Sequence, residues 1–328
     1  MALNFNTLNI QPLAPEVGTV AAFLTTAYPW SPHDFIRDAA FMQADRAAWI
    51  AHLTRPLPAD NDLRVVVTLP DGQRCAVFAE ILPWDSQFFG YTVARLNGIF
   101  PLEAPVYRPA ADFKPILAAY MDWLTPRQVR YLFAPADPRD LAFIRALNGV
   151  GFCLIETRCI YHRSLIGYDY PERYACRLAR PDDVPLLAET AVKMVNPFDR
   201  FHADPFIRAE DADRMMRRWV EASLLKNFAD VTLVPDVPQP TAFCTVRYHR
   251  DQWASWGLKL AQPVFSAVAP EFKGWYRKII SEINYHLLEQ GAEHCFLITQ
   301  ITNGAVIAAY DRLGFALGKG EHVFRILL

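Results

Sequence analysis

The sequence predicts an α/β protein in which helices cover a partly parallel β-sheet. Two observations favour this class: predicted helices and strands alternate through the second half, and the strands are uninterrupted apolar runs. Of the 328 residues, 52% are hydrophobic and 21% are charged, which excludes a disordered chain. A chain of this length has room for roughly two domains.

Charge and cysteine usage exclude several function classes. The net charge of -2 gives no global attraction to nucleic acid or to an anionic membrane. The six cysteines contain no C-x-x-C pair, so the sequence predicts neither a zinc site nor a disulfide framework. The first residues lack the features of a signal peptide, and no apolar run reaches the roughly 18 residues that span a bilayer. We therefore expect a cytoplasmic protein that needs no metal.

The first half opens with helical spacing and then turns to strands. Two β-branched runs on either side of Pro70-Asp71-Gly72 predict a hairpin, and residues 112–124 predict an amphipathic helix. Residues 166–175 are polar and aromatic without any period. We place the domain boundary there, which gives domains of residues 1–165 and 166–328.

The second half has the order strand, helix, helix, three strands, helix, strand, helix, strand. The predicted elements are 174–179, a helix opening at Asp182, 211–225, 230–234, 241–248, 263–268, 275–289, 295–299, 303–313 and 322–327.

An internal repeat is also predicted. Residues 131–156 and 296–317 both show strand, polar turn, helix, Gly-Phe and strand. In this alignment the first copy carries an extra Asn148-Gly149 and has Pro138 where the second has Asn303. Chance is the alternative explanation, because Gly-Phe commonly follows a helix.

Four stretches carry a likeness to a known family. They are Pro83-Trp84-Asp85-Ser86-Gln87-Phe88-Phe89-Gly90; Arg200-Phe201-His202-Ala203-Asp204-Pro205 with Trp219-Val220-Glu221; Val268-Ala269-Pro270; and Thr299-Gln300-Ile301-Thr302-Asn303 with Tyr310-Asp311-Arg312-Leu313-Gly314-Phe315. Over residues 75–328 the chain resembles the GNAT N-acyltransferases, within them the branch that acetylates dTDP-linked amino sugars. The resemblance implies tandem GNAT-like mixed β-sheets flanked by helices, with a degenerate first domain and a catalytic second one.

Three catalytic residues follow from this resemblance. Acyl transfer from a thioester to an amine needs a proton acceptor for the amine, a site for the oxyanion and a proton for the thiolate. The resemblance gives Tyr310 the last role, makes Asn303 an anchor for the donor or a water, and makes Glu156 the base. The alternatives are a packing tyrosine, a helix N-cap and a surface carboxylate.

The donor implied by the resemblance is acetyl-CoA or another acyl thioester. Its binding residues would be Ser266, Ala267, Val268, Lys273, Gly274, Arg277 and Lys278. However, Tyr276 and Lys278 replace the small residues of the family's pyrophosphate loop. We expect Tyr276 to obstruct the close backbone approach and to be strained if left-handed.

This departure leaves three explanations open. The pyrophosphate of CoA lies on Lys273, Arg277 and Lys278; or the donor is an acyl carrier protein or an aminoacyl-tRNA; or the protein is a non-catalytic binding module.

The acceptor loop is predicted at residues 196–206. Arg200, His202 and Asp204 are its candidate substrate-binding residues, and Arg200 suits an anionic acceptor such as a diphosphate. An Arg–Asp pair within the loop explains the same residues. The sequence thus predicts an N-acyltransferase acting on a primary amine of a small polar acceptor, such as a nucleotide-linked amino sugar or a natural-product intermediate.

Overall fold

The computed structural model describes residues 8–27, 30–102 and 111–328. Contacts divide the chain into two compact units: Met1–Ile155 with Glu321–Leu328, and Glu156–Gly320. The predicted boundary at 165/166 lies ten residues after this division, and the last eight residues belong to the first unit rather than to the second.

The first unit contains a mixed sheet in the order β1-β2-β3-β4-β5-β12. Its strands are β1 (Asn9–Pro12), β2 (Val65–Thr68), β3 (Arg74–Ile81), β4 (Val93–Pro101), β5 (Tyr131–Ala136) and the end of β12 (Ala316–Leu327). Its helices are α1 (Val17–Ala27), α2 (Ala39–Thr54), α3 (Pro83–Phe89), α4 (Lys114–Leu124) and α5 (Leu141–Gly149). The predicted hairpin is confirmed, because β2 pairs antiparallel with β3.

The second unit contains a mixed sheet in the order β6-β11-β10-β9-β8-β7. Its strands are β6 (Cys153–Ser164), β7 (Cys176–Leu178), β8 (Val231–Pro235), β9 (Ala242–Arg247), β10 (Leu260–Val268) and β11 (His294–Gln300). Its helices are α6 (Val184–Lys193), α7 (Ala209–Leu225), α8 (Arg250–Trp256), α9 (Trp275–Glu289) and α10 (Gly304–Arg312).

The internal repeat is confirmed, with a corrected alignment. Helices α5 and α10 both have nine residues. They begin after side-chain caps at Asp140 (φ -82, ψ 68) and Asn303 (φ -86, ψ 67). Asn303 therefore matches Asp140 and not Pro138, and the first copy holds no extra residues.

After both helices a glycine with positive φ makes the turn, and the next phenylalanine amide bonds back into the helix. The acceptors are Leu147 O for Phe152 and Tyr310 O for Phe315, each at 3.0 Å. Leu147 in the first unit thus occupies the place that Tyr310 has in the second.

Each unit also contains the same break in its sheet. In the first, the β3–β4 register shifts between Phe78 and Ala79, and β4 runs parallel to β5 for three residue pairs. In the second, the β9–β10 register shifts between Pro263 and Ser266, and β10 runs parallel to β11 for two pairs. A register shift of this kind bends and twists a strand, which turns it away from its other neighbour.

The two halves of the sequence exchange their last strands. β6 follows α5 in the chain, yet it pairs antiparallel with β11 from Arg158 to Ser164. β12 follows α10, yet its end pairs with β5 from Tyr131 to Ala136. Neither half of the sequence therefore holds all the strands of its own sheet.

We predict that Phe324→Ala lowers the free energy of unfolding by about 3 kcal/mol. Phe324 is 3% exposed on β12 and lies in the hydrophobic core of the first unit. Denaturant titration measures the loss, and amide exchange locates it in β5. The control is Leu317→Ala on the same strand, at 60% exposure, which we expect to change stability by no more than about 0.5 kcal/mol. Equal effects of both variants would show that β12 adds nothing to this core.

Candidate functional site

The central feature of the second unit is the gap that opens between β10 and β11. The two strands pair only at Leu260–His294 and Ala261–Cys295. β10 continues to pair with β9 as far as Val268, and β11 continues with β6 as far as Gln300. Within residues 156–320 the facing edges beyond Ala261 have no strand between them. They can accept an extended ligand in place of a strand.

The amide directions on β10 can be worked out from its bonds to β9. Phe265 N donates to Thr245 Oγ1 at 3.1 Å, and Ala269 N donates to Thr241 O at 2.8 Å. Because amides alternate in direction along a strand, those of Ser266 and Val268 point into the gap. Of the three predicted donor-binding residues on this strand, Ala267 alone turns its amide toward β9.

Tyr310 lies beneath the gap on α10. Its side chain is 2% exposed and packs among the rings of Tyr161, Phe315 and Tyr276. Its hydroxyl is 2.8 Å from the hydroxyl of Tyr276. Burial raises the pKa of Tyr310 well above its usual value, so the phenol keeps its proton at neutral pH and can donate it.

Tyr276 differs from the sequence-based expectation. It is the second residue of α9 and has helical backbone geometry, while Gly274 takes the left-handed position at φ 90. The predicted strain at Tyr276 is therefore absent. Its ring is half-buried, and its hydroxyl reaches Tyr310 and lies near enough to Ser266 for that side chain to lower its pKa. Burial is the stronger effect and raises the pKa of Tyr276 overall.

The start of α9 suits an anion. Gly274 provides no side-chain cap, so the first amides of this 15-residue helix are open to a ligand. Lys273 and Arg277 form no salt bridge with any of the described residues. The Lys278 ammonium instead lies 5.0 Å from the rings of both Tyr174 and Trp275. The predicted role of Lys273, Arg277 and Lys278 toward a phosphate stays a prediction.

Glu156 is buried, 5% exposed, in a chain of polar contacts. Its Oε2 accepts from Arg158 Nε at 2.7 Å, and its Oε1 accepts from Gln300 Nε2 at 2.7 Å. Gln300 Oε1 in turn accepts from Asn196 Nδ2 at 2.7 Å. The chain joins the acceptor loop to the end of β11 and holds the carboxylate in one position. Glu156 is therefore not a surface carboxylate.

Glu156 and Tyr310 approach the sheet from opposite faces. Tyr161 on β6 faces α10, with its ring centroid 5.3 Å from that of Tyr310. Glu156 is five residues earlier on the same strand, and side chains alternate between faces. Glu156 thus faces the acceptor loop, and Tyr310 lies on the opposite face of the sheet, where α10 packs.

Asn303 is the N-cap of α10, where its side chain accepts from Val306 N at 3.4 Å. This contact fits the alternative that the residue is a helix cap. Its predicted role toward the donor stays a prediction.

The acceptor loop is held by its own side chains. His202 Nδ1 is 2.7 Å from Asp199 Oδ2, and His202 Nε2 is 3.3 Å from Asp213 Oδ1 on α7. Asp204 is 1% exposed and accepts from Phe206 N at 3.0 Å. The Arg200 guanidinium lies 4.4 Å from the ring of Phe201. Both ring nitrogens of His202 have partners within the protein. The side chain therefore stabilises the loop and is not free to bind a substrate.

Sequence reasoning missed four contributors: Tyr276 as the partner of Tyr310, and Asn196, Gln300 and Arg158 as partners of Glu156. Gln300 stood inside a recognised motif without a role. Tyr276 replaces a small residue of the family's pyrophosphate loop, and this departure is the sequence signal that could have identified it.

Neither a metal site nor a membrane-spanning helix is found among the residues that the structure describes. No group of three or more His, Cys, Asp or Glu side chains is arranged to hold a metal ion. No helix in these ranges has the length and hydropathy to cross a membrane.

We predict that the imidazole of His202 titrates above its usual pKa of about 6.5, chiefly because of its hydrogen bond to Asp199. A raised folded-state pKa means that the stabilisation is complete below pH 6.5 and is lost as the pH rises through the folded-state value. An NMR titration of His202 in the wild type and in Asp199→Asn measures both points. The variant should titrate lower, and an unchanged pKa would rule out this pairing.

The sequence matches no protein-family model and no curated protein. Solved structures are similar to the chain along nearly its whole length. A GCN5-related N-acetyltransferase from Sphaerobacter thermophilus has a TM-score of 0.60 at 11% identity, covering 98% of this chain and 95% of its own. A tandem GNAT protein from the clavulanic acid biosynthesis pathway has a TM-score of 0.53 at 14% identity, covering 98% of each chain. A fungal glucosamine N-acetyltransferase region has a TM-score of 0.59 at 12% identity, covering 98% of this chain and 38% of its own. Together with the repeated mixed sheet, these similarities show that the chain has the tandem GNAT fold.

Proposed function

We propose that the second unit is an N-acyltransferase that moves an acyl group from a thioester to a primary amine. The observation that carries this proposal is the gap between β10 and β11. Amides of Ser266 and Val268 point into it, Tyr310 lies on one face of the sheet, and Glu156 lies on the other. A thioester in the gap would have a carbonyl partner, a proton donor and a proton acceptor around it.

The acceptor amine reaches the thioester from the face of Glu156. An amine must lose a proton as its nitrogen attacks the carbonyl carbon. Each carboxylate oxygen of Glu156 already accepts one hydrogen bond and keeps a second lone pair, so it can take that proton directly or through a water. Arg158 and Gln300 hold the carboxylate while it does so.

The leaving thiolate is protonated from the other face. The oxyanion formed at the carbonyl is stabilised by an amide of β10 that points into the gap. When the C–S bond breaks, the electron pair stays on sulfur, and Tyr310 supplies its proton. The products are an amide and a free thiol. Glu156 then releases its proton to solvent, and the phenolate of Tyr310 takes a proton back from solvent once the thiol has left.

We propose acetyl-CoA as the donor and a small polar amine as the acceptor. Lys273, Arg277 and the first amides of α9 provide a place for a pyrophosphate at one end of the gap. The tandem neighbour is described in relation to AcCoA, and another neighbour is a glucosamine N-acetyltransferase region. The first supports acetyl-CoA as the donor, and the second supports an amino-sugar acceptor, including a nucleotide-linked one that Arg200 would bind. A cytoplasmic location, where acyl-CoA is available, is part of this proposal.

Tyr276 favours a second candidate. Its side chain stands where the resembled family has a small residue, and it reaches toward the gap. An acyl carrier protein or an aminoacyl-tRNA would deliver the acyl group on a bulkier phosphate-bearing body, with Lys273 and Arg277 as its contacts. Binding of total tRNA that weakens steeply as salt rises would support this donor.

The direct test is incubation of the protein with acetyl-CoA and a panel of amines that includes amino sugars and their nucleotide-linked forms. Release of the CoA thiol that depends on both protein and amine supports the proposal. Transfer from charged tRNA or carrier protein without transfer from CoA would shift it to the second candidate. No transfer from any of these donors would overturn it.

We predict that Tyr310→Phe lowers kcat about 100-fold and leaves the KM for the amine within about threefold. The phenylalanine keeps the ring packing and removes only the hydroxyl that protonates the thiolate. Steady-state kinetics with the best amine of the panel measure the change. Unchanged turnover would remove Tyr310 from the mechanism.

We predict that Glu156→Gln also lowers kcat about 100-fold, because an amide cannot take the amine proton. Its control is Glu189→Gln, which makes the same change at an exposed glutamate of α6 paired with Lys193. The control should retain wild-type turnover. If the two variants have similar activity, Glu156 is not the base.

A further inference from the structure

We infer that Tyr276 is a plug that closes the donor end of the gap, and that it sets which donors can enter. This inference rests on the proposed function, since it concerns access to the same gap.

The position of Tyr276 on the fold makes it a plug. Its Cα is in the first turn of α9, at the helix end that suits an anion, and its hydroxyl meets that of Tyr310 at 2.8 Å. On the way, the side chain passes near Ser266, whose amide points into the gap. The side chain therefore lies between the start of α9 and the phenol of Tyr310. A thioester arm held between β10 and Tyr310 must run along the same path.

The hydrogen bond between the two hydroxyls stabilises the closed state, in which Tyr276 occupies the gap. Tyr310 is 2% exposed, and the Tyr276 hydroxyl is the hydrogen-bond partner of the buried Tyr310 phenol. A hydroxyl has one proton to donate, so where Tyr310 donates to Tyr276 in the closed state, a donor sulfur must replace the Tyr276 oxygen as its acceptor. Binding of the donor thus competes with this arrangement of the Tyr276–Tyr310 contact, and each donor must offset its loss.

The consequence is a restriction on donors. A donor with an extended arm and phosphates gains contacts along β10 and at Lys273 and Arg277, and it can displace the ring. A short acyl donor without these groups gains too little to open the gap. Tyr276 is then a specificity-determining residue, which acts by occupying the gap rather than by touching the reacting atoms.

The experiment is isothermal titration of acetyl-CoA into the full chain and two variants. Tyr276→Ala removes the plug, and we expect at least tenfold tighter binding. Tyr276→Phe keeps the ring and removes only its hydroxyl, which leaves the buried phenol of Tyr310 without its partner in the closed state. We expect binding about threefold tighter than wild type, and this near-isosteric variant keeps the inference testable if Tyr276→Ala does not fold.

The matched control is Tyr285→Phe. Tyr285 is on the same helix, and its hydroxyl accepts from Tyr170 N at 2.7 Å, away from the gap. It should bind acetyl-CoA like wild type. A second readout is the pH profile of kcat/KM for acetyl-CoA, which reports the free enzyme. Its alkaline limb should move in Tyr276→Phe, because Tyr276 contacts the proton donor before acetyl-CoA binds.

The outcomes separate the two claims. Tighter binding by both Tyr276 variants, with an unchanged control, supports the plug. Wild-type protein that transfers acetyl groups and binds acetyl-CoA as tightly as Tyr276→Ala overturns the plug and leaves the proposed function standing. Absence of binding and transfer in wild type and in both variants overturns both.

Discussion

The candidate site depends on the early separation of β10 from β11. Two parallel residue pairs hold the strands together at one end, and the register shift on the β9 side then turns β10 away. A continuous ladder would have satisfied the amides of Ser266 and Val268 within the sheet. Because the ladder stops, these donors face an open edge and are available to a ligand, a side chain or water. The polar residues on either face, Glu156 and Tyr310, owe their proposed roles to this opening.

Most of the second unit could be predicted from the sequence, because its strands and helices show clear hydrophobic periods and clear end signals. Helix α9 was predicted at its observed bounds, and Gly314 marks the end of the α10 segment as the pattern indicated. The exchange of β6 and β12 could not be predicted, since partner choice between two similar sheets leaves no local signal. The observed division lies ten residues before the predicted boundary for the same reason: residues 156–164 follow the first copy of the repeat in the chain, yet β6 pairs with β11 of the second unit.

The site was only partly predictable, for a physical reason. A motif identifies residues that share a segment, but the partners of Glu156 come from the acceptor loop and the end of β11. Tyr276 shows the opposite problem. The sequence correctly marks Tyr276 as unusual. The expected strain assumed a left-handed backbone at Tyr276, but Gly274 adopts that conformation instead. Where the side chain went depended on the buried hydroxyl of Tyr310, and no local pattern encodes that contact.

The two units share this geometry but differ at the position of the proposed proton donor. Both have a register shift, a short parallel pairing and a capped nine-residue helix that follows the second parallel strand. In the first unit, the residue at the place of Tyr310 is Leu147, which is 0% exposed in an apolar core. A leucine there can pack but cannot protonate a thiolate. At the position of Tyr310 the first unit thus has no proton donor, and this is why we assign the proposed chemistry to the second unit.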